Sequence, residues 1–154
     1  MKNLKMFFKL SLILLLSVPL IYGVRPKLVE WAANQYSKLN HTLKSGIEYP
    51  ADGIPTNDHW HVTPGVHGQW TAGFYPGVLW HLYNLTKDTK WEALAIKATD
   101  GMFQDQFRTD THDIGFMIMC SYGKGLEFTK NSSYPKVIVN AAHSLAHRFN
   151  CKTN

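Results

Sequence analysis

Cysteine is scarce in this 154-residue sequence: Cys120 and Cys151 are the only two. They can pair in an oxidising compartment, but Cys120 lies in an apolar run and reads as a buried free thiol. Long hydrophobic runs are nearly as rare, and the Leu10–Val18 run is shorter than the roughly 20 residues that cross a bilayer. No stable membrane insertion is expected. Phosphate loops and dinucleotide fingerprints are missing, and no serine occupies a Gly-x-Ser-x-Gly elbow, which argues against nucleotide chemistry and a serine triad. Strand-like alternation is also missing, so the expected class is all-α. The formal net charge of +5 falls to +2 once Lys2, Lys5 and Lys9 are set aside, and a nucleic-acid partner is not indicated.

Those three lysines precede the apolar run, which closes at Gly23, so residues 1–23 read as a secretory signal peptide and the protein as secreted or periplasmic. The remaining 24–154 form one domain, in keeping with 45% hydrophobic and 18% charged residues. Asn40, Asn84 and Asn131 head glycosylation sequons.

Five helices are expected. Leu28, Trp31, Ala32, Tyr36, Leu39 and Leu43 share one helical face. Periodicity then vanishes from Ser45 to Gly68, a stretch long enough to suggest a functional loop. A second helix is expected from about Thr71 to Leu85, and a third behind a Thr89–Glu92 capping box, with Trp91, Leu94, Ala95, Ala98 and Met102 as its apolar stripe. The fourth begins at Asp113 and is apolar on most sides. The fifth carries Tyr134, Val137, Ile138, Ala141, Ala142, Leu145 and Phe149, with Pro135 in its first turn.

The sequence repeats. Leu85-Thr86-Lys87-Asp88 followed by Trp91 matches Phe128-Thr129-Lys130-Asn131 followed by Tyr134, and Thr71-Ala72-Gly73-Phe74 matches Asp113-Ile114-Gly115-Phe116. Helical hairpins of this period bury their faces by stacking. Gly-Phe therefore reads as a packing requirement, whereas His112 stands where Trp70 stands and differs from it.

Asp113 admits two readings, a helix cap or a carboxylate lining a cleft. Trp70, with Trp60 and Phe74, offers ring faces on which a sugar can stack, and His112 a polar partner. Trp31, Trp80 and Trp91 are expected in the core. No recognised ligand spacing joins His59, His61, His67, His112 and Asp113, so no metal site is expected.

Gln69-Trp70-Thr71-Ala72-Gly73-Phe74-Tyr75-Pro76-Gly77, Leu79-Trp80-His81-Leu82-Tyr83, Thr111-His112-Asp113-Ile114-Gly115-Phe116 and Cys120-Ser121-Tyr122-Gly123 resemble glycosyl hydrolase family 88, the unsaturated glucuronyl hydrolases, from about Trp70 to Asn150. The related unsaturated rhamnogalacturonyl hydrolases are the alternative, and His-Asp-x-Gly-Phe favours the glucuronyl group. The resemblance implies an (α/α)6 barrel of six hairpins, here incomplete. It implies no cofactor and a substrate class of oligosaccharides ending in the 4,5-unsaturated uronic acid that polysaccharide lyases leave. Asp113 matches the family's assisting carboxylate, and Trp70 and His112 match positions near substrate. The family's proton-donating Asp lies in a later motif expected beyond Asn154. The chain thus reads as an inactive N-terminal part of such an enzyme. The alternative is a non-catalytic carbohydrate-binding or regulatory truncation.

Overall fold

The computed structural model describes residues 26–54 and 59–152, so the expected signal peptide lies outside the described residues. The chain divides into two units, Met1–Ser37 and Lys38–Asn154. Helix α1 runs over 26–42. In the first unit, Leu28 and Trp31 are exposed, Trp31 by 61%, so the expected core position of Trp31 is corrected. Periodicity alone shows that an apolar face exists without revealing what it meets. In the second unit Leu39 and Leu43 are buried, and Asn40 accepts a hydrogen bond of 2.9 Å from the Tyr75 hydroxyl.

The stretch expected to be an aperiodic loop contains a hairpin. Strands β1 (Glu48–Ile54) and β2 (His59–Pro64) pair antiparallel, with an irregularity between Pro50 and Asp52. That irregularity breaks the two-residue alternation, and both strands are edges where proline is tolerated. The sequence pattern was erased for those reasons. Tyr49 is the anchor of the hairpin: its ring is fully buried, edge-on to Tyr75 at 5.9 Å, and its hydroxyl donates to the Ala98 carbonyl.

Helix α2 (Phe74–Thr86) follows a 3-10 turn at Trp70–Gly73, and Pro76 falls in its first turn. Helix α3 (Thr89–Asp100) is capped by Asp88, whose carboxylate accepts the Lys90 N–H at 3.0 Å. This replaces the expected capping box, because Asp is at least as good an N-cap as Thr and stands one residue earlier. The α2–α3 hairpin buries Leu79, Trp80, Leu82, Trp91, Ala95 and Ala98, and the Trp80 Nε1–H reaches Thr99 Oγ1 at 2.9 Å.

The fourth expected helix is a continuous rod made of α4 (Ile114–Ile118), a π-turn at Met119–Gly123 and α5 (Lys124–Thr129). Ile114, Met117 and Ile118 are buried, but Phe116 and Met119 are exposed, so one face is bare among the described residues. Helix α6 (Tyr134–Ala146) buries Tyr134, Val137 and Ala141. Ala142 and Phe149 are exposed, contrary to the expected stripe.

The internal repeat is visible atom by atom. Helices α2 and α5 both end on a lysine with positive φ, Lys87 at 58° and Lys130 at 59°. In each, the preceding threonine donates back one turn, Thr86 to Leu82 at 2.7 Å and Thr129 to Gly125 at 2.6 Å. Each threonine hydroxyl then accepts the next turn's N–H, from Asp88 at 3.2 Å and from Asn131 at 3.3 Å. A left-handed C-cap followed by a polar side chain that starts the next helix is a compact way to reverse a helical chain.

The Gly-Phe pair does not repeat in the same sense. A Cβ on Gly73 would lie 2.6 Å from Met117 Cα and 2.8 Å from Phe116 O, and one on Gly77 would lie 2.9 Å from Cys120 O. These two glycines, Gly73 closing the 3-10 turn and Gly77 in α2, form the surface on which residues 114–123 rest, backbone to backbone. A Cβ on Gly115 would meet nothing within 4 Å. The reading of both glycines as packing requirements therefore holds for Gly73 and is corrected for Gly115.

Candidate functional site

Two adjacent helix starts bring the candidate residues to one end of the second unit. Trp70 opens the 3-10 turn before α2, and Asp113 directly precedes α4. The Trp70 ring lies 5.7 Å from both Phe74 and Phe116, whose rings are 6.4 Å apart. All three rings are close to half exposed. Aromatic edges and faces left to water beside a polar segment are suited to a ligand with an apolar face and hydroxyls at its rim. Sequence reasoning assigned Phe116 to packing; the signal missed was that it is the repeat counterpart of Phe74, which was read as a ring for ligand.

Asp113 occupies an N-terminal position, but its carboxylate makes no capping bond to the helix. The expected cap is corrected: with ψ near 2° rather than extended, its backbone does not turn the side chain back over the helix N–H groups. Thr71, its repeat counterpart, does not cap either; it lies inside the 3-10 turn, with its buried hydroxyl oxygen unbonded. The Asp113 carboxylate is instead held by a small local turn. Thr111 Oγ1 donates to Oδ2 at 3.2 Å and accepts the Asp113 N–H at 3.1 Å. His112 Nε2 lies 3.4 Å from Oδ1, with its side chain 80% exposed. The carboxylate side chain is 20% exposed, so it is mostly covered but still reached by solvent.

Trp60 does not join this aromatic cluster. It is half exposed on β2, next to His61, whose Nδ1 is 2.6 Å from Asp52 Oδ1. His67 contributes its backbone rather than its ring: it has φ 55° and its N–H donates to Asp105 Oδ1 at 3.0 Å. Among the described residues no group of three or more His, Cys, Asp or Glu side chains is placed to hold a metal ion. Both cysteines are free thiols, Cys120 half-buried and Cys151 exposed.

Three of the carboxylates that precede Asp113 in the chain are engaged elsewhere. Asp88 caps α3, Asp105 is fully buried, and Asp110 is gripped by the Arg108 fork at 2.9 and 3.0 Å. That grip holds the Asp110 carboxyl down to about 2. Burial pushes Asp105 the other way, above the usual carboxylate range, against the pull of the His67 N–H and Arg108. The signs follow. Asp110 binds its proton less readily in the folded chain than its ordinary 3.8, so its stabilisation is full above that value and is lost as pH falls towards 2. The Asp105 contribution has the opposite sign, because acid relieves a buried charge. Asp110→Asn is expected to flatten the loss of melting temperature between about pH 4 and pH 2. Thermal melts followed by circular dichroism decide this, and parallel curves for the two proteins would refute it.

No protein-family model matches the sequence. The chain is 35% identical over 125 residues to an unsaturated glucuronyl hydrolase of Formosa agariphila, a match covering 75% of this chain and 30% of that protein. It superposes on the crystal structure of an unsaturated glucuronyl hydrolase specific for heparin with a TM-score of 0.73 at 35% identity, covering 82% of this chain and 33% of that one. Over the stretch they share, the chain is related to the unsaturated glucuronyl hydrolases. It spans about a third of the length of these relatives. Its helical hairpins are accordingly part of the all-α six-hairpin fold of the family, as the sequence resemblance implied. A structure of a UGL variant with dGlcA-Glc-Rha-Glc is also similar, at 27% identity and a TM-score of 0.59 over 69% of this chain and 28% of that one.

Proposed function

We propose that the end of the second unit carrying Trp70, Phe74, His112 and Asp113 forms part of the cleft of an enzyme that hydrates the 4,5 double bond of a terminal unsaturated glucuronyl residue. Water adds across the vinyl ether, the hemiketal so formed opens, and the remaining sugar is released. One observation carries this reading: a partly exposed carboxylate, free of capping duty and anchored by Thr111, stands three residues from a ring that joins an exposed aromatic cluster. The rings would take the sugar face and Asp113 would stabilise charge as a proton is delivered. The dGlcA-Glc-Rha-Glc complex of a relative supports this substrate class. We place Trp60 at a more distant sugar contact, and we read the protein as exported through its residues 1–23.

General acid–base work of this kind needs a proton donor as well as a stabilising carboxylate. The engagement of Asp88, Asp105 and Asp110 favours binding without turnover by this stretch alone. The 154-residue chain is expected to bind an unsaturated glucuronyl disaccharide and to leave its ultraviolet absorbance unchanged. Trp70→Ala is expected to weaken binding about tenfold, the loss of one good ring contact. Titration calorimetry on chain that melts cooperatively tests this. Absence of heat with the unsubstituted chain refutes the cleft.

A further inference from the structure

Arg108 joins the two segments that carry the candidate cleft. Its side chain is only 8% exposed. Nη1 donates to the Gly68 carbonyl at 3.0 Å, two residues before Trp70. Nε and Nη2 donate to the two oxygens of Asp110 at 2.9 and 3.0 Å, three residues before Asp113. Nη1 also lies 3.3 Å from Asp105 Oδ1 and 3.8 Å from Met117 Sδ. The same Asp105 oxygen accepts the His67 N–H, so one buried carboxylate fixes both the guanidinium and the left-handed turn that leads into Trp70. On the far side of that turn the Gln69 N–H donates to Thr63 Oγ1 at 2.8 Å.

Neither segment is held by regular secondary structure. Residues 65–69 and 108–113 are connecting stretches, which fluctuate unless tied. The planar guanidinium offers five donors in a fixed fork, so it can grip a carbonyl and a carboxylate in different directions at once. A lysine ammonium has the charge without the fork. Misplacing a group by about 1 Å is enough to cost a binding or catalytic site much of its effect.

We propose that Arg108 is a positioning residue of the cleft, holding the Trp70 segment and the Asp113 segment in one register through a single guanidinium. Its consequence for sugar binding rests on the function proposed above; the register itself does not.

The test uses the 154-residue chain, 15N-labelled, with R108K and D110N. The Gly68 and Gln69 amides and the Trp70 indole report one segment, the Asp113 amide reports the other, and the Trp80 indole bonded to Thr99 reports the core. D110N lies on the surface of the Asp113 segment and removes one grip of the fork. It is expected to move the Gly68 amide and the Trp70 indole as well as Asp113, and R108K to move both segments, with Trp80 in place for both variants. Shifts confined to 110–113 in D110N, or an R108K change that spreads to Trp80, overturn the coupling. In the same samples R108K is expected to bind the unsaturated glucuronyl disaccharide about tenfold more weakly at an unchanged number of sites. Equal affinity despite coupled shifts overturns the positioning role. A native chain that binds no disaccharide defeats the proposed function, and the shifts still decide the register.

Discussion

Replacing Gly73 by alanine is expected to destabilise the second unit by about 3 kcal/mol, the upper part of the usual range for overpacking. The same change at Gly115 is expected to stabilise it by about 0.5–1 kcal/mol. The two glycines occupy corresponding places in the repeat, so any argument from sequence assigns them one fate. The contacts separate them. The new methyl at Gly73 would stand 2.6 Å from Met117 Cα and 2.7 Å from Met117 O, which are backbone atoms of a packed helix and cannot swing aside as a side chain does. Relief requires moving the 114–123 rod outward, which loosens α4, with its buried Met117 and Ile118, against the 3-10 turn that leads into α2. Gly115 has open space where its methyl would go and a helical backbone without positive φ, so alanine there only restricts the unfolded chain. Urea or guanidinium unfolding of the two variants measures both signs. Equal effects would mean that the close approach of α2 to the rod is not a constraint on stability.

The contrast also shows where sequence reasoning works and where it stops. Thr86-Lys87 and Thr129-Lys130 were legible because a left-handed C-cap and a threonine back-bond are local, needing only neighbours along the chain. The helices were legible for the same reason, to within a few residues. The hairpin of β1 and β2 was not, since its pairing is defined by a partner strand and its bulge removed the alternation that would have announced it. Trp31 and Phe116 were misplaced because an apolar residue at helical spacing shows that a face exists without showing what lies opposite.

At the site, the residue types of Trp70, His112 and Asp113 were visible, and the repeat set His112 at the position that corresponds to Trp70. The role of the Asp113 side chain was not visible. Whether a carboxylate at a helix start turns inward to cap or outward to solvent depends on a backbone torsion, and here a threonine two residues earlier settles it. Arg108 escaped notice entirely. A single arginine between an aspartate three residues before it and another two after reads as surface charge, and only the fold brings Gly68 within reach of it.

The sharpest functional expectation concerns Asp113 in a setting where turnover can be read. Placed in the Formosa agariphila relative in exchange for the stretch that it matches, this chain's residues are expected to support loss of the unsaturated uronide's ultraviolet absorbance. Asp113→Asn in that chimera is expected to lower kcat by about 10²–10³-fold, the range for removing a group that stabilises charge in the transition state. Asparagine keeps the size and can still accept from Thr111, so the local turn and the fold should survive, and the loss falls on charge alone. His112 is mostly exposed and touches only one oxygen, which makes His112→Ala the milder change, expected to raise KM more than it lowers kcat. A cooperatively melting chimera in which Asp113→Asn turns over at the native rate would remove Asp113 from the reaction. The carboxylate would then be no more than the outward-facing end of the Thr111 turn.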